Sequence, residues 1–208
     1  MPTTHEFGLG GSFGDFEYHE KLATRFGMSN YRSRENRFNQ NSVPAADNYQ
    51  VTLADSIQAF NTGALAPNVT LNYATVRGVS WDAGMKYRGI FLQTEVYNRW
   101  LSDFDADGPL PVTEIHGKGF YVQGAFFPIK KKLEVYGATS WIYGDKSAGF
   151  STSHEWIQGA NYYLFNTRNV RQNFQVIEVD RSPQSSLFGF YVGGQKGTTI
   201  STAFSFWF

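Results

Sequence analysis

The chain has 208 residues, with 18 basic and 18 acidic side chains that leave no formal net charge, which argues against an electrostatic nucleic-acid binder. Aromatic residues make up 17% of it beside 21 glycines, a mixture that suits a β-rich protein with many tight turns. Cysteine is absent, which excludes disulfides and thiol chemistry; mean hydropathy is −0.37, and the lack of any run of about 18 apolar residues excludes a transmembrane helix but not transmembrane strands.

The first stretch, "MPTTHEFGLGGSFGDF", has neither a basic n-region nor an apolar h-region, so the expectation is a soluble protein or a fragment without its leader. Within it "GGSFG" matches the nucleophile-elbow pattern around Ser12. No helix follows, so a glycine-rich turn is expected and the chain is read as a non-enzyme. His5, His19, His116 and His154 are scattered without metal spacing.

"FEYHEKLATRFGM" alternates Phe16, Tyr18, Leu22, Phe26 and Met28 with Glu17, His19, Lys21 and Arg25, the two-residue period of a strand. A long external loop is predicted over 29–72. Its Arg32, Arg34 and Arg37 read as solvated or anion-gathering, and the spacing of Leu53, Ile57 and Phe60 predicts a short helix that caps the loop or folds into a pore mouth. Next come "GVSWDAGMKY" and "GIFLQTEVYNRWL", separated by Arg88 and Gly89. Val79, Trp81, Ala83, Met85 and Tyr87 oppose Ser80, Asp82, Gly84 and Lys86; Ile90, Leu92, Val96 and Trp100 oppose Gln93, Glu95, Tyr97 and Arg99.

After them "DFDADGPLPVTE" sets Asp103, Asp105, Asp107, Gly108 and Glu114 at the spacing of a calcium loop, whose carboxylates could surround Ca²⁺. The competing reading is an acidic external loop, because strands flank it and Pro109 and Pro111 restrict its backbone. Two further hairpins follow, turning near Pro128–Lys131 and Asn166–Arg168. In them Leu133, Val135, Thr139, Trp141 and Tyr143 oppose Glu134, Tyr136, Ala138 and Ser140, and Val170, Phe174 and Val176 oppose Arg171, Asn173 and Gln175. The last strand, "GTTISTAFSFWF", puts Ile200, Thr202, Phe204, Phe206 and Phe208 on one side.

About eight strands of roughly 9 to 14 residues emerge, the length a tilted strand needs to cross a bilayer. Short turns alternate with long links, and Tyr87, Trp100, Phe127, Trp141, Tyr143, Trp207 and Phe208 gather near strand ends as an interfacial girdle requires. The expected fold is all-β, an antiparallel transmembrane β-barrel covering 1–208 as a single region. The alternative is a soluble β-sandwich acting as a carbohydrate-binding module.

The segments "TGALAP", "KYRGIFLQTEVYNRWLSDF", "GFYVQGAFFPIKKKLEVYGATSWIYGD", "HEWIQGANYYLFNTRNVRQNF" and "QKGTTISTAFSFWF", from about Phe16 to the end, resemble the C-terminal half of the phosphate-selective porin family (porins O and P). The resemblance implies a sixteen-stranded, homotrimeric barrel in the bacterial outer membrane, about half of which this chain supplies. It implies passive diffusion of small hydrophilic solutes and makes Phe208 part of the signal read by the barrel assembly machinery; anions such as phosphate are candidate solutes only, because the family's basic constriction comes largely from parts of the barrel missing here and its phosphate preference does not carry over. Pore-lining candidates are Lys21, Arg25, Lys86, Glu95, Arg99 and Arg171; Glu17, Asp82 and Glu134 share those faces, a mixture that predicts weak selectivity. No cofactor is expected, apart from calcium at Asp103, Asp105, Asp107 and Glu114, which rests on the loop spacing alone.

Overall fold

The computed structural model describes Phe7 and residues 14–37, 51–53, 57–182 and 194–207. Eight strands form one antiparallel sheet in chain order: β1 Ala23–Asn36, β2 Leu71–Tyr87, β3 Ile90–Ala106, β4 Ile115–Ile129, β5 Leu133–Tyr143, β6 Thr152–Tyr163, β7 Val170–Asp180 and β8 Gly197–Phe206. The all-β antiparallel reading therefore holds. The sheet is open: among the described residues β1 has its register with β2 and β8 with β7, and no register joins β1 to β8. A sandwich needs a second sheet packed on the first. The described residues form a single one.

Local chemistry explains the tight hairpins. Arg88 and Gly89 between β2 and β3 take φ of 47° and 84°, the pair of positive values that a two-residue turn needs to match strand twist. Lys131 (φ 56°) turns β4 into β5, and Phe165 and Asn166 (φ 58° and 53°) turn β6 into β7. At the opposite end β2 and β3 run 17 residues each, beyond the predicted lengths, and an irregular register there accommodates Asp103 at φ 52°.

Two expectations about the first link change. β1 continues to Asn36 and β2 begins at Leu71, so residues 29–36 of the predicted 29–72 loop are strand. The predicted helix is absent among the described residues of 51–60. Thr52 bridges Gln58, the Leu53 amide donates to the Ile57 carbonyl (2.6 Å) and the Ala59 amide to the Val51 carbonyl (2.9 Å). Leu53 and Phe60 share a helical spacing, but their burial comes from opposite arms of this narrow turn. Phe16 and Tyr18 likewise lie before β1 instead of within it.

Register fixes two faces. The outward one carries Phe26 and Met28, Trp81 and Met85, Leu92 and Val96, Phe126, Val135, Trp156, Phe174, Ile200 and Phe204. Most of the large apolar side chains exposed among the described residues sit here, including Phe174 at 53% and Ile200 at 69%. The inward face is polar along the middle of the strands and closed by apolar packing at both ends. At the loop-bearing end Val51, Leu53, Ala59 and Phe60 pack on Ala74, Val76, Leu101, Ile115 and Phe150. At the turn end Phe7, 1% exposed, packs with Ala23, Phe91 and Ala125, while Phe16 joins Phe127 and Tyr163. Phe127 is therefore interior, not a girdle residue. Trp207 falls in the inward register beyond Ser205, with the Arg171 guanidinium 5.3 Å from its ring. Trp100, stacked on His116, and Trp141, stacked on His154, do face outward near the loop-bearing end.

Three inward tyrosines stand directly opposite glycines on the next strand: Tyr31 and Gly78, Tyr97 and Gly119, Tyr136 and Gly159. Each ring lies flat where a side chain would otherwise be, which fills the glycine gap and protects the ladder. A Cβ at Gly119 would stand 2.5 Å from both the Trp141 carbonyl and the Tyr97 hydroxyl, whereas one at Gly117 meets nothing within 4 Å. Gly119→Ala is therefore expected to lower stability by about 1–3 kcal/mol through overpacking. Gly117→Ala should stay within about 0.5 kcal/mol of the parent. Equilibrium urea unfolding of the refolded proteins compares the two.

Candidate functional site

The inward face is the candidate site, a polar strip between its two apolar ends. Arg25 on β1 lies in the row of Gly84 and reaches Asp82 on β2, with Nη2 2.5 Å from Oδ1. Glu95 on β3 faces Asp82 across that pair of strands. Glu95, Tyr97 and Arg99 project from alternate positions of one strand, as its two-residue period requires.

A cavity of ≈ 480 Å³ separates this strip from the 51–60 segment, and Tyr31, Ser80, Glu95, Tyr97, Arg99 and Asp145 line it. Arg99 spans the gap: its Nη2 donates to the Thr52 carbonyl at 2.6 Å, which ties the inward-folded segment to β3. Gly117, directly across from Arg99, leaves that guanidinium room. The described residues of the segment thus cover the inward face near its loop-bearing end.

Toward β8 the strip becomes a hydrogen-bonded ladder. The Tyr136 hydroxyl donates to Gln175 Oε1 (2.9 Å) and accepts from Asn173 Nδ2 (2.8 Å), which also donates to Asn161 Oδ1 (2.8 Å). Asn161 Nδ2 (2.9 Å) and the Tyr163 hydroxyl (2.6 Å) both donate to Glu134 Oε2, and the Gly14 amide donates to Oε1 (2.9 Å). A buried carboxylate with three donors is a satisfied one. An open cavity of ≈ 340 Å³ beside the ladder is lined by Gln123, Arg171, Asn173 and Gln175 among others.

Register places five of the six predicted pore-lining residues on this face: Arg25, Lys86, Glu95, Arg99 and Arg171. Lys86 is not open to the strip's centre. It is buried at the turn end, with Nζ donating to the Phe7 carbonyl at 3.1 Å and lying 4.8 Å from that ring. Lys21 is exposed and precedes β1, outside the strand registers that place the other five. Phe208, Ser12 and His5 lie outside the described residues.

The 103–114 segment does not wrap as a calcium loop does. Asp103 and Asp105 belong to β3; Asp107 Oδ1 accepts from the Thr70 amide (2.7 Å), and Glu114 Oε2 pairs with Arg77 Nη2 (3.0 Å). Asp103, Asp105, Asp107 and Glu114 therefore do not converge, and no group of three metal-ligating side chains forms among the described residues.

Sequence alternation missed Asp15, Glu134's partners and the 51–60 lining, all of which depend on contacts distant in sequence. Asp15 Oδ2 accepts from the Gly89 amide (2.7 Å) and the His19 amide (3.0 Å), pinning the chain's start to the β2–β3 turn. Comparison with protein-family models, with curated proteins and with solved structures gave no match.

Asp145, in the β5–β6 link at the cavity rim, caps a short 3₁₀ turn over Lys146–Ala148. The Ser147 hydroxyl, followed by the backbone amides of His116, Ser147 and Ala148, holds its carboxyl below the ordinary carboxylate range against opposing desolvation. A depressed value stabilises the fold above the unfolded-state value, and that contribution disappears as pH falls through the folded one. Asp145→Asn should therefore flatten the loss of stability between about pH 5 and pH 2, measured by thermal unfolding against pH.

Proposed function

We propose that this chain forms part of an outer-membrane β-barrel porin that passes small hydrophilic solutes down their gradients. The observation that carries the reading is the division between the two faces. Apolar side chains occupy successive outward positions, as from Val79 through Trp81, Ala83 and Met85 to Tyr87 on β2, with Ile90, Leu92, Val96, Phe126, Ile200, Phe204 and Phe206 exposed on other strands, while the inward face at the same level carries Asp82, Gln93, Glu95, Gln123, Arg171 and Asn173 among small and hydroxyl-bearing residues. Such a run covers 9 or so strand residues, about the hydrocarbon thickness for a tilted strand. Lipid satisfies the outside and water the inside, and no catalytic residue is required.

Solute choice then rests on the cavity under the 51–60 segment. Glu95 and Arg99 sit four residues apart on the same face, so neither sign of ion meets an uncompensated ring of charge. The reading carries with it a sixteen-stranded homotrimer, delivery by the barrel assembly machinery and residence in the bacterial outer membrane.

Planar-bilayer recording of the refolded full-length protein tests it. Stepwise conductance is expected, with Glu95→Gln moving the reversal potential in a salt gradient toward anions and Arg99→Gln moving it toward cations. Arg99→Gln should also raise conductance, because it releases the Thr52 tether. A protein that stays in detergent-free buffer and never inserts would overturn the reading.

A further inference from the structure

Two arginines stand directly opposite one another on the outward face: Arg32 of β1 and Arg77 of β2. Like charges in that position destabilise a sheet unless something anionic lies between or beside them. Arg34 follows two residues along β1 with its guanidinium 5.4 Å from the Tyr73 ring, and Lys118 extends the group onto β4. Among the described residues, the carboxylate that pairs with these four cations is Glu114, through Arg77, and both of those side chains are 46% exposed. The charge is local. On β6 and β7 the same end of the outward face carries Glu178 and Asp180 with His154.

The group also has a definite place and shape. Along β1 and β2 it begins where the apolar side chains stop, after Met28 and Val79. Trp100 stands across from Arg77 and stacks on His116 at 2° between planes, the amphipathic aromatic pair expected at a bilayer boundary. Arg32, Arg77, Trp100, Glu114 and Asn30 line an open cavity of ≈ 460 Å³ there.

We propose that Arg32, Arg34 and Arg77, beside Trp100, hold the phosphate of a lipid headgroup in the leaflet at the loop-bearing end of the sheet. This rests on the membrane-barrel reading above. Guanidinium forks match phosphate oxygens, a headgroup phosphate relieves the Arg32–Arg77 repulsion, and the acyl chains then run along the apolar band toward Met28 and Trp81. Inorganic phosphate offers the same anion without those chains.

The test refolds the full chain into phosphatidylcholine bilayers containing a small fraction of phosphatidic acid with brominated acyl chains, which quench nearby tryptophan. The difference between the parent and Trp100→Phe isolates the Trp100 signal. Quenching should exceed that given by the same fraction of brominated phosphatidylcholine, and Arg32→Gln/Arg34→Gln, which leaves the Arg77–Glu114 pair in place, should reduce the preference at least roughly fivefold. Added sodium phosphate should leave the preference intact at constant ionic strength. Reversal by phosphate would assign the site to a free anion and overturn the lipid proposal. Equal quenching by both lipids in a protein that has inserted would overturn it alone, whereas failure to insert would overturn it together with the barrel reading.

Discussion

The fixed alternation of a hydrogen-bonded strand is the constraint on which the rest of this structure depends. Backbone groups between paired strands are engaged across the sheet, so the freedom left to the chain is the choice of side chain for each face, and every second position falls on the same face. A slip of one residue would carry Phe174 and Val176 inward and Arg171, Asn173 and Gln175 outward together. The seven registers agree on which face is which, and this agreement gives the sheet one largely apolar face and one largely polar face.

The inward face is organised by how little side chain it contains as much as by how much charge. Glycine opposite tyrosine recurs at three places, and each lets an aromatic ring lie along the sheet, leaving the space above it to polar groups. The charged residues are correspondingly engaged: Arg25 with Asp82, Arg99 with the Thr52 carbonyl, Glu134 with three donors. Charges fixed in this way hold defined positions on the strip, where mobile ones would average out over it.

The strands, their order and their two faces were legible in the sequence because strand periodicity is local. Val79 to Tyr87 could be assigned to two faces without knowledge of any neighbour, and the structure keeps that assignment. What sequence could not supply depends on contacts far along the chain. Phe127 and Trp207 have the composition of girdle residues, but Phe127 is claimed by Phe16 and Tyr163, and Trp207 by its odd-numbered register with Ser205. The helical spacing of Leu53 and Phe60 was real as a pattern and wrong as geometry, since a narrow turn buries the same two residues on one surface. The spacing of the calcium loop is likewise not matched by its geometry: β3 extends through Asp103 and Asp105, while Asp107 is engaged by the Thr70 amide and Glu114 by Arg77.

The contents of the inward face also bear on how such a sheet can be completed. In hydrocarbon an unpaired strand edge is untenable, so within the membrane reading β1 and β8 must pair with each other or with further strands. Eight strands closed on themselves leave an interior just wide enough for side chains. Here the inward face holds more than that: the Gly14–Phe16 segment and Phe7 at one end, the backbone of the 51–60 turn at the other, and polar cavities between. Within that reading, main chain lying on the inner surface needs a wider circumference than eight closed strands enclose, so the edges of β1 and β8 are places for further strands to pair.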